Sequence, residues 1–295
     1  MILNASGCLD ALTAPDVARL LDAFVTKTVT PLPRAGNAPV RIAETDVGML
    51  NSIGLANPGI DRFRSQTLPR LTAIGVPIWV SVGGFSAREY AAICAALDEH
   101  DEVEVLELNL SCPNVDEAPE SAAEIVAACR AATTKSLYAK LSPAAWDVAE
   151  TARAVEAAGA DGLSLVNTIR GLALDDRTLK PRLGRGAGGL SGPALKPIAL
   201  AAVHACYRAT DLPIVGMGGV QTGRDALDLL ASGAGAVALG TVLFADPSAA
   251  DRIRSELSVE LAARAVASLE DTIGLAHLDR RERPPVAVRN MRLTA

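Results

Sequence analysis

The sequence predicts an α/β fold, a single (β/α)8 TIM barrel, on three observations. Short runs rich in Val, Ile and Leu alternate with longer Ala, Leu, Arg and Glu segments of helical period, the pattern of βα units around a parallel sheet. About eight such runs occur, the number that closes a barrel. The 295 residues also suit a barrel, which uses about 250 as one domain.

In chain order the strands are expected at residues 2–6, 23–28, 77–82, 103–110, 137–141, 162–167, 213–218 and 236–240. Helices are expected at 86–99, 121–132, 145–158, 193–207, 223–232 and 248–257, several opened by Ser, Pro or Gly. No neighbouring strands are joined by a hairpin-length turn, which argues against antiparallel classes. Two Gly/Pro-rich stretches, 31–59 and 170–193, interrupt the rhythm, and loops that long in a compact domain usually carry function. The barrel is expected to span 1–275. A solvated tail, 276–295, follows, with a basic cluster at 280–283 and no function assigned.

Composition narrows the function. At 49% hydrophobic and 21% charged the chain folds as a globule, and at 3% aromatic its core is aliphatic. A net charge of −6 gives no general attraction to nucleic acid or anionic membranes, which leaves a small-molecule substrate. Nothing approaches the roughly 18 apolar residues of a membrane span. The opening Met-Ile-Leu-Asn-Ala-Ser-Gly-Cys lacks the basic and apolar regions of a leader and reads as a strand. Five cysteines without a C-x-x-C pair suggest neither disulfides nor a cluster, and suit a cytoplasmic setting. His100, His204 and His277 join no constellation with metal spacing, so no metal is expected.

Chemistry in such a barrel sits where strands end. Gly218-Gly219 and Gly240-Thr241 end the last two strands, where many barrels bind phosphate through backbone N–H groups. Either pair alone could simply make a tight turn; together they favour phosphate. Lys27 and Lys140 end two other strands, where an uncompensated ammonium is costly. They ask for an acceptor, such as the ribityl hydroxyls and pyrimidine edge of a flavin. Asn51, Asn109, Asn114 and Asn167 each offer donors and an acceptor. As a set they suit a neutral ring with alternating C=O and N–H groups; singly, each could cap a turn. Cys112 stands in a polar loop before Pro113, whereas Cys94, Cys129 and Cys206 lie on helical segments and read as small buried residues. A thiol can act as base where its surroundings favour thiolate.

Five segments, Asn4-Ala5-Ser6-Gly7, Thr26-Lys27-Thr28, and residues 48–55, 107–114 and 189–193, together resemble class 1 dihydroorotate dehydrogenases, over Met1 to about His277. Class 2 members carry serine where this chain has Cys112, and the stretch from Gly189 looks more like subclass 1B than 1A. The resemblance implies a flavoprotein of pyrimidine biosynthesis that uses FMN. Ala5, Ser6, Gly7, Lys27, Thr28 and Lys140 would line the flavin, with Asn109, Asn167 and Gly192 as further contacts. Gly218, Gly219, Gly240 and Thr241 would hold its phosphate. Substrate contacts would come from Lys27, Asn51, Gly54, Leu55, Asn109, Asn114, Asn167 and Thr168. Cys112 would take the C5 proton of dihydroorotate as hydride leaves C6 for flavin N5, or return it in reverse. The 1B-like segments imply a separate FAD/iron–sulfur electron-transfer subunit, and a homo-oligomer is expected.

Against the family pattern, the chain begins almost directly at Asn4, without the usual N-terminal hairpin, and reaches its helix sooner after Cys112. The shorter segment is expected to widen the pocket or expose the thiol, so a relative of dihydroorotate enters the substrate range. The alternative enzyme is a reductase of dihydrouracil or another modified pyrimidine. The 6-carboxylate separates the two: dihydroorotate needs cationic or amide donors, which Lys27 and Asn51 could provide. A barrel that binds without catalysing would have little reason to keep Lys27, Lys140, Cys112 and four asparagines in its mouth.

Overall fold

The computed structural model describes residues 1–110 and 120–277. The barrel strands are β1 (Ile2–Asn4), β2 (Phe24–Val25), β5 (Ile78–Val82), β6 (Val103–Asn109), β7 (Ser136–Leu141), β8 (Gly162–Leu165), β11 (Ile214–Met217) and β12 (Ala236–Leu239). Two excursions supply β3 (Ile42–Thr45), β4 (Gly48–Asn51), β9 (Ile169–Gly171) and β10 (Gly188–Ser191). The large sheet runs β1-β12-β11-β8-β7-β6-β5-β2, all parallel. A parallel bridge between Leu3 and Ala23 closes the ring. Each strand lies where the sequence places one, within a few residues at either end.

Strands buried on both faces read as nearly continuous apolar runs, and alternation sorts them. Leu3, Val25, Trp79, Val105, Tyr138, Val215, Met217 and Ala238 fill the barrel interior, with the Trp79 and Tyr138 rings 4.8 Å apart. Their neighbours Leu106, Leu108, Leu163, Leu165 and Ile214 face the helices. Caps start several helices where expected. Ser86 caps α4 (Ala87–Asp98), Asp147 caps α6 (Val148–Ala157), and capping boxes open α5 (Ala122–Arg130) and α8 (Gly223–Ser232). The helix expected from residue 193 starts as a 3-10 turn, Pro193–Leu195, and continues as α7 (Lys196–Ala209). The last, α10 (Ala249–Ala263), runs longer than expected. The short helices α1 (Pro15–Ala18), α2 (Ile60–Arg62) and α3 (Leu68–Thr72), the last two separated by a π turn at Phe63–Thr67, were not among the expected elements.

The expectation that no hairpin occurs is overturned. The loops 31–59 and 170–193 contribute to an antiparallel sheet of order β3-β4-β10-β9. Only Asp46 and Val47 separate β3 from β4, and β4 pairs with β10 far along the chain, Asn51 opposite Gly189. This sheet rises from the C-terminal ends of the barrel strands, β9 beginning four residues after β8 ends.

Barrel closure depends on one side chain. Asn4 is fully buried, and its amide donates to Val25 O and accepts from Val25 N, both at 2.8 Å. It supplies the ladder where β1 and β2 meet by a single bridge. Asn4→Ala leaves both Val25 groups buried without partners and is expected to cost about 2–4 kcal/mol. Chemical denaturation measures it, and a loss below about 1 kcal/mol would contradict this role.

Candidate active site

The strand ends carry a chain of side-chain hydrogen bonds across the barrel mouth. Ser6 Oγ donates to Thr26 O at 2.8 Å, and Thr28 Oγ1 lies 3.5 Å from Ser6 Oγ and 3.0 Å from Ser81 Oγ. Asn109 Nδ2 donates to Thr28 Oγ1 at 3.3 Å, and Asn167 Nδ2 donates to Asn109 Oδ1 at 3.0 Å. Asn167 Oδ1 accepts from Thr168 N at 2.8 Å, while the Tyr90 hydroxyl holds Asn109 O at 2.6 Å. Side chains beyond β1, β2, β5, β6 and β8 are thereby locked to one another, which fixes the direction in which their amides and hydroxyls point.

Two lysines flank this chain and differ in kind. Lys140 on β7 is buried, and its ammonium lies 3.3 Å from Glu107 Oε1 on β6. The acceptor it asked for therefore comes from within the chain. Lys27 is half-buried, and the described residues place no carboxylate or other acceptor within hydrogen-bond reach of its ammonium. Burial pushes its pKa below the ordinary 10.5, Lys140 pushes it further down, and Cys8 opposes them. The Cys8 thiol is itself raised by burial, against the pull of Lys140 and Lys27. Lys27 reaches this position across Gly7, whose φ is +80° in the turn from Ala5 to Cys8. A Cβ there would stand 3.1 Å from Lys27 Cδ and 3.3 Å from Nζ.

The expected glycine pairs follow the ends of β11 and β12. Gly219 has φ +74°, and a Cβ on it would meet Lys196 N at 2.8 Å and Gly192 O at 3.0 Å. The backbones of Gly192 and Gly219 can thus approach because Gly219 carries no side chain. Gly240 borders Ala5 and Cys8, and Thr241 precedes α9 (Val242–Ala245). Hydrogen bonds among the described residues include no acceptor for the N–H groups of Gly192, Gly219, Gly240 or Thr241. Unpaired N–H groups beside a helix start suit a phosphate. Deeper in the barrel Ser164 Oγ, beside Lys140 in register, is buried with no partner among the described residues. Such a group is stabilised by a water or a polar ligand.

The other expected site residues are divided. Asn51 and Thr168 meet at Gly189: Asn51 Nδ2 donates to Gly189 O at 3.3 Å, and a Cβ on Gly189 would lie 2.1 Å from Thr168 Oγ1. Gly54 and Leu55, with φ of 74° and 56°, belong to a loop held by its own residues. Asn57 donates to Leu55 O at 2.7 Å and to Thr30 Oγ1 at 2.6 Å, and accepts from Gly59 N at 2.8 Å. Cys112 and Asn114 lie outside the described residues. Sequence reasoning missed Ser81, Glu107, Asn57 and the nearness of Cys8. For Glu107 a signal existed, a carboxylate two residues before Asn109 on a strand beside the one bearing Lys140.

A parallel barrel with a polar, glycine-lined mouth is the architecture of a small-molecule enzyme. The comparisons give the particular family. The model of the dihydroorotate dehydrogenase family matches residues 1–261. The catalytic subunit of dihydroorotate dehydrogenase B (NAD(+)) from Trichlorobacter lovleyi is 45% identical over 261 residues, 86% of each chain. Its counterpart from Listeria monocytogenes is 43% identical over 282 residues, 92% of each chain, and that of Latilactobacillus sakei 46% over 275 residues, 88% of this chain and 89% of the other. Ligand-free dihydroorotate dehydrogenase of Eimeria tenella matches the fold with a TM-score of 0.78 at 23% identity, covering 94% of this chain and 88% of that one. The chain belongs to the dihydroorotate dehydrogenase family, of the B type among its class 1 members, and is an oxidoreductase.

Proposed function

We propose that this chain is the FMN-binding catalytic subunit of an NAD-linked dihydroorotate dehydrogenase, acting in the cytoplasm with a separate FAD/iron–sulfur subunit. The observation that carries the reading is the mouth itself: the chain Thr28–Asn109–Asn167, flanked by one neutralised lysine and one without a counter-ion. The amide chain presents donors and acceptors to a planar pyrimidine. Lys27 supplies a positive charge that the 6-carboxylate of dihydroorotate would compensate, and Asn51 adds an amide donor. Dihydrouracil, lacking that carboxylate, would leave Lys27 uncompensated.

FMN fits the residues present. The N–H groups of Gly218, Gly219, Gly240 and Thr241, with that of Gly192 beside Gly219, would hold its phosphate, and Ala5, Ser6, Gly7, Lys27, Thr28 and Lys140 would border the rest. When bound, the flavin supplies a hydride acceptor. The chain's own residues orient the dihydropyrimidine and, on the family resemblance, use Cys112 to take its C5 proton. The likeness to catalytic subunits of the NAD-linked B type supports a separate subunit as the route by which electrons leave, and the sequence carries neither a nicotinamide fingerprint nor a cysteine relay of its own.

The purified protein is expected to carry about one FMN per chain and to reduce an artificial dye with dihydroorotate, yet to reduce NAD poorly alone. Chromatography of the released flavin and parallel assays with dye and NAD test this. FAD in place of FMN, failure to take up added FMN, or efficient NAD reduction without a partner would overturn it.

A further inference from the structure

We infer that Glu107 is a positioning residue for this reaction, acting through Lys140; the inference rests on the flavin reading above. Glu107 and Lys140 occupy inward-facing places on adjacent strands, with side chains only 1% and 6% exposed and 3.3 Å between Oε1 and Nζ. Register sets Lys140 opposite Asn109 and Glu107 opposite Tyr138, so the carboxylate lies one step deeper than the polar chain of the mouth. Ser81, opposite Glu107 on its other side, is engaged by Thr28. Lys140 is the partner of the carboxylate among the described hydrogen bonds.

A buried ion pair is a poor way to stabilise a core, since apolar side chains of like volume usually do as well or better. Its worth here lies in charge and place. Lys140 and Lys27 stand close enough for the charge of one to depress the pKa of the other. Without Glu107 the two ammonium groups would face each other with the Cys8 thiol as their other titratable neighbour. The carboxylate anchors Lys140 from below and cancels one of the two positive charges. Reduction puts negative charge on the flavin, so each uncancelled positive charge nearby favours the reduced form. Glu107 therefore keeps the reduction potential lower than two bare lysines would.

The test is the reduction potential of the FMN-loaded protein, measured by equilibration with a reference dye, in wild type, Glu107→Gln, Lys140→Met and the double variant. Glu107→Gln is expected to shift the potential to more positive values, and most of that shift should vanish in the Lys140→Met background, where a carboxylate buried without its counter-ion neutralises and leaves no charge for glutamine to remove. A purely structural role would lower the melting temperature and leave the potential where it was. An unchanged potential in FMN-loaded Glu107→Gln, or an undiminished shift when Lys140 is already methionine, overturns the inference. If the Gln variant fails to fold, Glu107→Asp, which keeps the charge but draws it back by one methylene, should give a smaller shift in the same direction. A potential equal to wild type overturns the inference there too. Wild-type protein that takes up no FMN would overturn the flavin reading, and this role with it.

Discussion

Replacing Cys112 with alanine is expected to leave FMN bound and to slow bleaching of the flavin by dihydroorotate about 10²–10⁴-fold, the usual worth of a positioned general base. The family resemblance assigns the sulfur no contact with the flavin, so cofactor content should not change. C5 of a dihydropyrimidine gives up its proton to a thiolate far more readily than to a thiol, and the reference thiol titrates near pH ~8.5. The wild-type rate of flavin reduction should therefore climb with pH toward that point. Cys112→Ser should be nearly as slow as alanine at neutral pH, because a hydroxyl is a much weaker acid, and should recover partly as pH rises. Rapid mixing of FMN-loaded variants with dihydroorotate gives the rates. Unchanged bleaching in Cys112→Ala would assign proton removal to another residue or to water.

The frame that leads to Cys112 was legible because its signals are local. Each barrel strand is a short apolar run ended by a polar residue or glycine, and the helices between them begin at Ser86, Ser121 and Thr222, where a side chain can accept from the first free N–H groups. Lys27, Lys140, Asn109, Asn167 and the glycine pairs stand out because polar residues there interrupt an apolar pattern. The hairpins were not legible because their stability is not local. β10 opens with Gly188 and Gly189, poor strand formers, and pairs with β4 across a separation of 138 residues. Glycine is required there because a side chain on Gly189 would run into Thr168, a contact with no trace in the sequence. The turn at Asp46-Val47 also lacks the Asn-Gly or Asp-Gly signature of a two-residue hairpin. Glu107 was only half legible: its place two residues before Asn109 was a signal, but register is what sets it and Lys140 on adjacent strands in the barrel interior.

Lys27→Met is expected to make the protein more stable without ligand and to weaken orotate binding about 10–100-fold. The two effects share a cause. The charge of Lys27 is half-buried without a described counter-ion, and its pKa lies below 10.5 in the fold, through burial first and Lys140 second. In the unfolded chain the lysine keeps its ordinary value. Between the two values the unfolded state binds more protons, so stability of the wild type rises with pH across that window. Below it, the charged lysine opposes folding to its full extent. Methionine has a similar length and no charge, so it removes the penalty at neutral pH and should flatten stability toward alkaline pH. Binding responds in the opposite direction, because a carboxylate beside Lys27 gains a charge-assisted hydrogen bond of about 1.5–3 kcal/mol, which corresponds to about 10–100-fold in affinity. Orotate affinity of the wild type should fall as pH rises and Lys27 loses its proton, while that of Lys27→Met should barely change. Thermal denaturation of the ligand-free proteins and titration of FMN-loaded protein with orotate, followed by the flavin spectrum, measure the two effects. A variant that loses stability, or that keeps wild-type affinity with FMN in place, would show that Lys27 serves the fold and not the substrate.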